Sequence, residues 1–154
     1  MITLIVAGFA LNIKAQEMEI GGGIAYGTNI QKVGLNLKLN YGLLEKMYIS
    51  AYANFFMPEK IEVNAVEACS ALTTGNLDFH YRIINNEKFK LYPFAGVNYS
   101  RIGVINGGVE QDPVTSIGAN VGAGFKWKSI FTELMYSTGN EDISQLTLTL
   151  GFLF

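Results

Sequence analysis

Eight ionisable side chains stand on the polar side of alternating stretches: Glu19, Lys38, Asp78, His80, Arg82, Lys90, Lys126 and Glu133. Three of them share the heptapeptide NLDFHYR, two residues apart, so Asp78, His80 and Arg82 would point the same way from a strand. Acids and bases gathered on one enclosed face can form ion pairs, and burial would force them to, because an unpaired buried charge is very costly. General acid–base chemistry would need a nucleophile beside the single histidine, His80. The HYR triplet has none. One histidine, one cysteine (Cys69) and scattered carboxylates argue against a dedicated zinc site. No catalytic, cofactor-binding or metal-binding residue is therefore expected.

The elements that position these residues read as strands. Eight segments follow a period of two, which cannot form a helical stripe. Met18, Ile20, Ile24 and Tyr26 share the apolar face of the first; Leu35, Leu37, Leu39 and Tyr41 that of the second; Ile49, Ala51, Ala53 and Phe55 that of the third. Leu77 to Ile83, Phe89 to Tyr99 and Ile117 to Trp127 continue the pattern, although Pro93 suggests a bulge or the first turn of its strand. The seventh sets Ile130, Leu134 and Tyr136 against Glu133 and Ser137, with Phe131 and Met135 blurring it. The eighth is QLTLTLGFLF at residues 145–154. Connections near 42–46, 84–88 and 127–129 are short, whereas those at 57–68 and 102–114 are longer.

The whole chain of 154 residues suits one domain, with a net charge of −2 that offers no footprint for nucleic acid. A single cysteine permits no internal disulfide, and Cys69 reads as a quiet small hydrophobe. Residues 1–15, MITLIVAGFALNIKA, read as a secretory signal peptide truncated at its start, because the apolar run is too short to span a bilayer as a helix and no basic residue precedes it. Residues 16–154 then form the barrel domain.

Period two does not say which way the apolar face points, since a soluble lipocalin-like barrel turns it inward. Aromatics mark both ends of that face: Tyr41, Tyr81, Phe89, Trp127 and Phe154 at the short turns, and Tyr26, Phe55, Tyr99 and Tyr136 at the other end. Small aliphatic residues lie between, as two interfacial girdles would require. The polar face is rich in glycine, which suits a narrow lumen better than an outer surface in water. The expected fold is an all-β, eight-stranded, antiparallel, up-and-down transmembrane β-barrel.

The segments VGLNLKLNYGLL, YPFAGVNYSRIG, SIGANVGAGFKW and LTLTLGFLF make residues 17–154 resemble the small eight-stranded outer-membrane β-barrels, often termed porin-family or outer-membrane β-barrel-domain proteins, of a size similar to outer membrane protein X. The resemblance implies the outer membrane of a Gram-negative bacterium, contact with its lipid, and recognition by the barrel-assembly machinery through the C-terminal strand. It is specific to architecture and says little about activity. Lipid A deacylases use this fold with a His–Ser–Glu arrangement near the lipid face; here no serine stands two residues beyond His80. The expected role is structural or surface-interacting, with a largely plugged lumen and no cofactor. A narrow porin is the alternative, and a soluble lipocalin-like carrier the second. An extracellular ligand or protein would meet the loops at 57–68 and 102–114.

Overall fold

In the computed structural model of the chain, the described residues are 18–63, 66–106, 109–110, 112–139 and 144–154, with side chains described at all of these except 59–63, 66–69, 105–106 and 109–110. The expected signal peptide lies outside the described residues, and so does the Cys69 side chain.

Among the described residues eleven strands follow one another: β1 (Met18–Gly27), β2 (Lys32–Leu44), β3 (Met47–Phe56), β4 (Glu59–Val63), β5 (Val66–Tyr81), β6 (Ile84–Asn85), β7 (Phe89–Asn106), β8 (Val109–Glu110), β9 (Val114–Trp127), β10 (Ile130–Ser137) and β11 (Gln145–Leu153). Eight of them close a ring in the order β5–β3–β2–β1–β11–β10–β9–β7 and back to β5, antiparallel throughout. The short β4, β6 and β8 only extend it, pairing with β5, β7 and β7. Closure runs from Gly21↔Leu153 to Gly27↔Thr147. Beyond it, the Ile20 N–H donates to the Phe154 carbonyl and the Phe154 N–H returns the bond, each at 2.9 Å. The apolar C-terminal strand therefore has no free edge, which removes the hazard that such a strand would otherwise present.

The alternation settles the direction of the faces. Leu35, Leu37, Leu39, Leu77, Val97, Val121, Leu134, Leu148, Leu150 and Phe152 are exposed, whereas Asn36, Lys38, Asp78, His80, Asn120 and Glu133 are buried. This inverts the burial of a soluble carrier barrel. A continuous apolar belt of this kind on a lone soluble domain would be a large sticky patch.

Three expectations need correction. The segments 57–68 and 102–114 are largely strand rather than loop. Ala68–Leu72 pairs with Ile102–Asn106, and Glu59–Val63 folds back on Val66–Ser70. At 16 and 18 residues, β5 and β7 exceed the roughly 9–11 that cross a bilayer as tilted strands, so their outer ends rise above the ring. Second, Pro93 makes no bulge. It pairs with Ala123 on one side, while on the other the β5 ladder stops at His80↔Phe94, one step before proline would have to donate. Third, Phe131 and Met135 do not blur β10: both are buried on its inward face, beside Glu133.

Candidate functional site: the lumen

Register explains how the lumen accommodates large side chains. Tyr92 pairs with Gly124, Phe94 with Gly122 and Phe131 with Gly151. A Cβ on Gly124 would lie 2.3 Å from the Tyr92 ring, one on Gly122 2.4 Å from Phe94, and one on Gly151 2.7 Å from Phe131. Each ring occupies the space that its neighbour's missing side chain leaves.

At mid-height the Lys38 ammonium contacts both carboxylate oxygens of Glu133, each at 2.5 Å. Both side chains are at most 5% exposed. The Tyr92 hydroxyl donates to the same carboxylate at 2.9 Å, and the Lys38 Nζ lies 4.7 Å from the centre of the Tyr52 ring. A charge pair this deep needs such further partners, because its mutual attraction alone does not offset desolvation. Asp78 takes neutral partners instead: the Tyr52 hydroxyl at 2.5 Å and the Asn120 amide at 3.0 Å.

Towards the short turns, His80 stacks on Phe94 with centroids 4.7 Å apart and accepts or donates at Nδ1 with the Tyr48 hydroxyl, 3.0 Å away. Its Nε2 has no hydrogen-bond partner within the protein, so the imidazole is bonded at one nitrogen only. Arg82 places its guanidinium 4.8 Å from the Tyr48 ring centre and donates to the Glu45 carbonyl at 3.3 Å. Glu19 bonds Lys126 and the Asn40 amide, with Lys90 at 3.9 Å. At the opposite end Ala25, Phe56 and Leu72 form an apolar cap with Ile30 and Ile102.

All eight charged or imidazole side chains singled out by sequence thus face inward. They gather as separate groups around Glu133, Asp78, His80 and Glu19 rather than as one cluster. Of the expected girdle aromatics, Tyr26, Tyr41, Phe55, Tyr81, Tyr99, Trp127, Tyr136 and Phe154 are exposed on the outer face. Phe89 is partly covered by Phe125, with ring centres 4.7 Å apart.

Sequence reading missed a ladder of amides. Asn36 donates to Asn54, Asn54 to Thr74, Asn76 to Thr74, Asn120 to Asn76, and Asn98 to Asn120, over 2.7–3.2 Å. It crosses β2, β3, β5, β7 and β9. One inward asparagine on each of five successive strands was the available signal.

Chemically, the lumen holds charge and hydrogen bonds in place. No hydrogen bond joins His80 to a serine, a cysteine or a carboxylate among the described residues, and Ser50 and His80 are both 0% exposed. Among the described residues no group of three potential metal-ligating side chains occurs.

No family model and no curated protein sequence matches the chain. Solved structures do match. The N-terminal β-barrel domain of Pseudomonas aeruginosa OprF aligns at a TM-score of 0.63 and 19% identity, over 89% of this chain and 96% of that one. Ail, the attachment invasion locus protein of Yersinia pestis, in complex with the heparin analogue sucrose octasulfate, aligns at 0.63 and 17%, over 90% and 99%. Neisserial surface protein A aligns at 0.62 and 14%, over 88% and 94%. With the closed ring, the outward apolar belt and the inward charges, these likenesses establish that the chain has the fold of the small eight-stranded outer-membrane β-barrels.

Proposed function

We propose that the chain is an outer-membrane barrel of a Gram-negative bacterium that serves a structural or surface-interaction role, with a lumen plugged by its own side chains. The observation that carries this is the inverted burial: leucines exposed outside, with Lys38, Asp78, Arg82, Lys126 and Glu133 all 8% exposed or less inside. Residues 1–15 act as its signal peptide, and the terminal strand is what the assembly machinery reads. The exposed aromatics, together with Phe89, anchor it at the two lipid interfaces.

With short turns in the periplasm, as is usual for such barrels, the β4–β5 and β7–β8 hairpins face outward. Glu59, Glu62, Glu67, Glu110 and Asp112 lie at that end, against Lys32, Lys60 and Arg101. That excess of acid favours a neutral or cationic partner over a polyanion of the kind bound to Ail.

Protein refolded in detergent should migrate faster unheated than boiled, and should give no large single-channel currents in planar bilayers. A chain soluble without detergent would sink the membrane assignment. Large, stable conductance would favour the narrow porin. Steady binding of a sulfated polysaccharide to whole cells displaying the chain would overturn the charge reading of its outer end.

A further inference from the structure

Two lysines on the short-turn rim pair with no acid among the described residues. The Glu87–Lys88 tip is closed by Asn86 and Phe89, whose backbone groups exchange hydrogen bonds at 2.9 and 3.3 Å. The Lys128–Ser129 tip joins Trp127 to Ile130, which pair directly. The Lys128 N–H donates to the Lys88 carbonyl at 3.0 Å, so the two tips are fastened side by side. Both lysines are exposed, and neither ammonium is ion-paired there, even with Glu87 close by in the chain.

The turn itself does not call for a lysine. Lys128 has a φ of 54°. Two-residue hairpin tips favour glycine, asparagine or aspartate in that left-handed region, because a Cβ there crowds the following carbonyl. Nor does the charge simply point into water. Lys128 Nζ lies 5.8 Å from the centre of the Trp127 ring, within cation–π reach. Trp127 is exposed on the outer face, so the ammonium is drawn over the membrane side of the rim.

Beneath the cations lies an aromatic floor. Phe89 pairs with Trp127 across β7 and β9, and its ring meets that of Phe125 at 4.7 Å. Through Ile130, opposite Trp127, this floor is continuous with the apolar belt. Cations above rings fit a ligand with a negative head and apolar tails. A free anion would make no use of the rings, and a neutral lipid none of the charges. A protein partner would need about 20–30 residues a side, and this patch is far smaller.

We propose that Lys88 and Lys128 hold the phosphate of an anionic phospholipid in the leaflet on the short-turn side, with its acyl chains along Phe89, Phe125 and Trp127. This rests on the membrane reading above. The ligand, not the turn, then explains a lysine in left-handed backbone.

Trp127 is the single tryptophan of the chain, so its fluorescence reports from the site itself. The refolded full chain is placed in phosphatidylcholine vesicles carrying a minor fraction of brominated lipid, either phosphatidylglycerol or phosphatidylcholine. Quenching should show about a three- to tenfold preference for the brominated phosphatidylglycerol at low salt, weakening as salt rises. Lys88→Gln with Lys128→Gln should bring the preference close to one, while quenching by brominated phosphatidylcholine stays as it was. Lys128→Asn suits the left-handed backbone, so it should keep or raise the urea midpoint yet lose part of the preference. A lower midpoint with the preference intact would make Lys128 a turn residue only and overturn the proposal. A preference that survives the double change would overturn it too. Trp127 quenched by neither lipid defeats the membrane reading, whereas equal quenching by both defeats only this one.

Discussion

Gly118 and Gly75 are both glycines within long strands, β9 and β5, and their surroundings are opposite. A Cβ on Gly118 would lie 1.7 Å from the Thr138 carbonyl oxygen, which itself accepts from the Asn98 amide at 3.0 Å. A Cβ on Gly75 would meet nothing within 4 Å. Gly118 belongs to the inward face and Gly75 to the outward one. Inside, shape is fixed to within a methyl group, because backbone and side chains already occupy the space. Outside, a lipid-facing residue answers to polarity and hardly to shape.

The most damaging way to probe the inner side is Gly118→Ala. Either β9 moves away from the end of β10, or the Thr138 carbonyl swings out and abandons Asn98. The change should abolish the fast-migrating folded form on unheated gels, an effect above about 4 kcal/mol of the kind overpacking against fixed backbone produces. A variant that folds normally would show the inner wall to be softer than its geometry implies.

Next comes the central ion pair. Glu133→Ala leaves the Lys38 ammonium buried with no countercharge and removes the acceptor of Tyr92, so a loss of about 3–5 kcal/mol is expected in urea titration. Glu133→Gln keeps an acceptor for both and should cost less. The double change Lys38→Met with Glu133→Leu should recover much of the loss, because two apolar side chains of similar volume avoid the desolvation altogether. If the double variant is no better than Glu133→Ala, the pair contributes something beyond its own charge balance.

On the outer face, polarity is the sensitive variable. Leu150, at the centre of the outward run from Leu146 to Phe154, is 59% exposed and pairs with Ile24 and Thr132. Leu150→Arg should cost about 2–4 kcal/mol when the barrel is folded into bilayers, as charge near the midplane of a barrel does. In detergent the cost should shrink, since micelles deform readily around a charge. Equal cost in both would show Leu150 to lie closer to an interface.

The same division explains what the sequence disclosed. Period two needs no knowledge of neighbours, so the inward set from Glu19 to Glu133 and the outward aromatics could be read from the chain alone. Register is a relation between strands, and it decides which side chains meet. Nothing in YPFAG or NVGAG says that Tyr92 lies on Gly124 or Phe94 on Gly122. Phe131 and Met135 misled because their hydrophobicity suggested lipid, whereas Gly151 and Gly122, opposite them, supply room inside. The asparagine ladder was hidden for the same reason, since each amide reads as ordinary polar filling until five strands align. The outer ends of β5 and β7 read as loops in the sequence because turn-forming residues such as Asn106 and Gly107 interrupt the pattern, although backbone pairing with β5 continues up to Asn106.

The smallest expected effect, Gly75→Ala, completes the contrast with Gly118. Gly75 lies between Ala53 on β3 and Tyr99 on β7, in ordinary extended backbone. Adding a methyl group there strains nothing, places apolar surface in lipid, and reduces the conformational freedom that the unfolded chain loses on folding. The substitution should therefore stabilise the barrel by about 0.4–1 kcal/mol, visible as a shift of the urea midpoint to higher concentration with an unchanged slope. A clear destabilisation would mean that the open space beside Gly75 is filled in the membrane by something whose shape matters. Lipid alone has no such shape, so that one result would move the outer face from a lipid-facing surface to a contact surface.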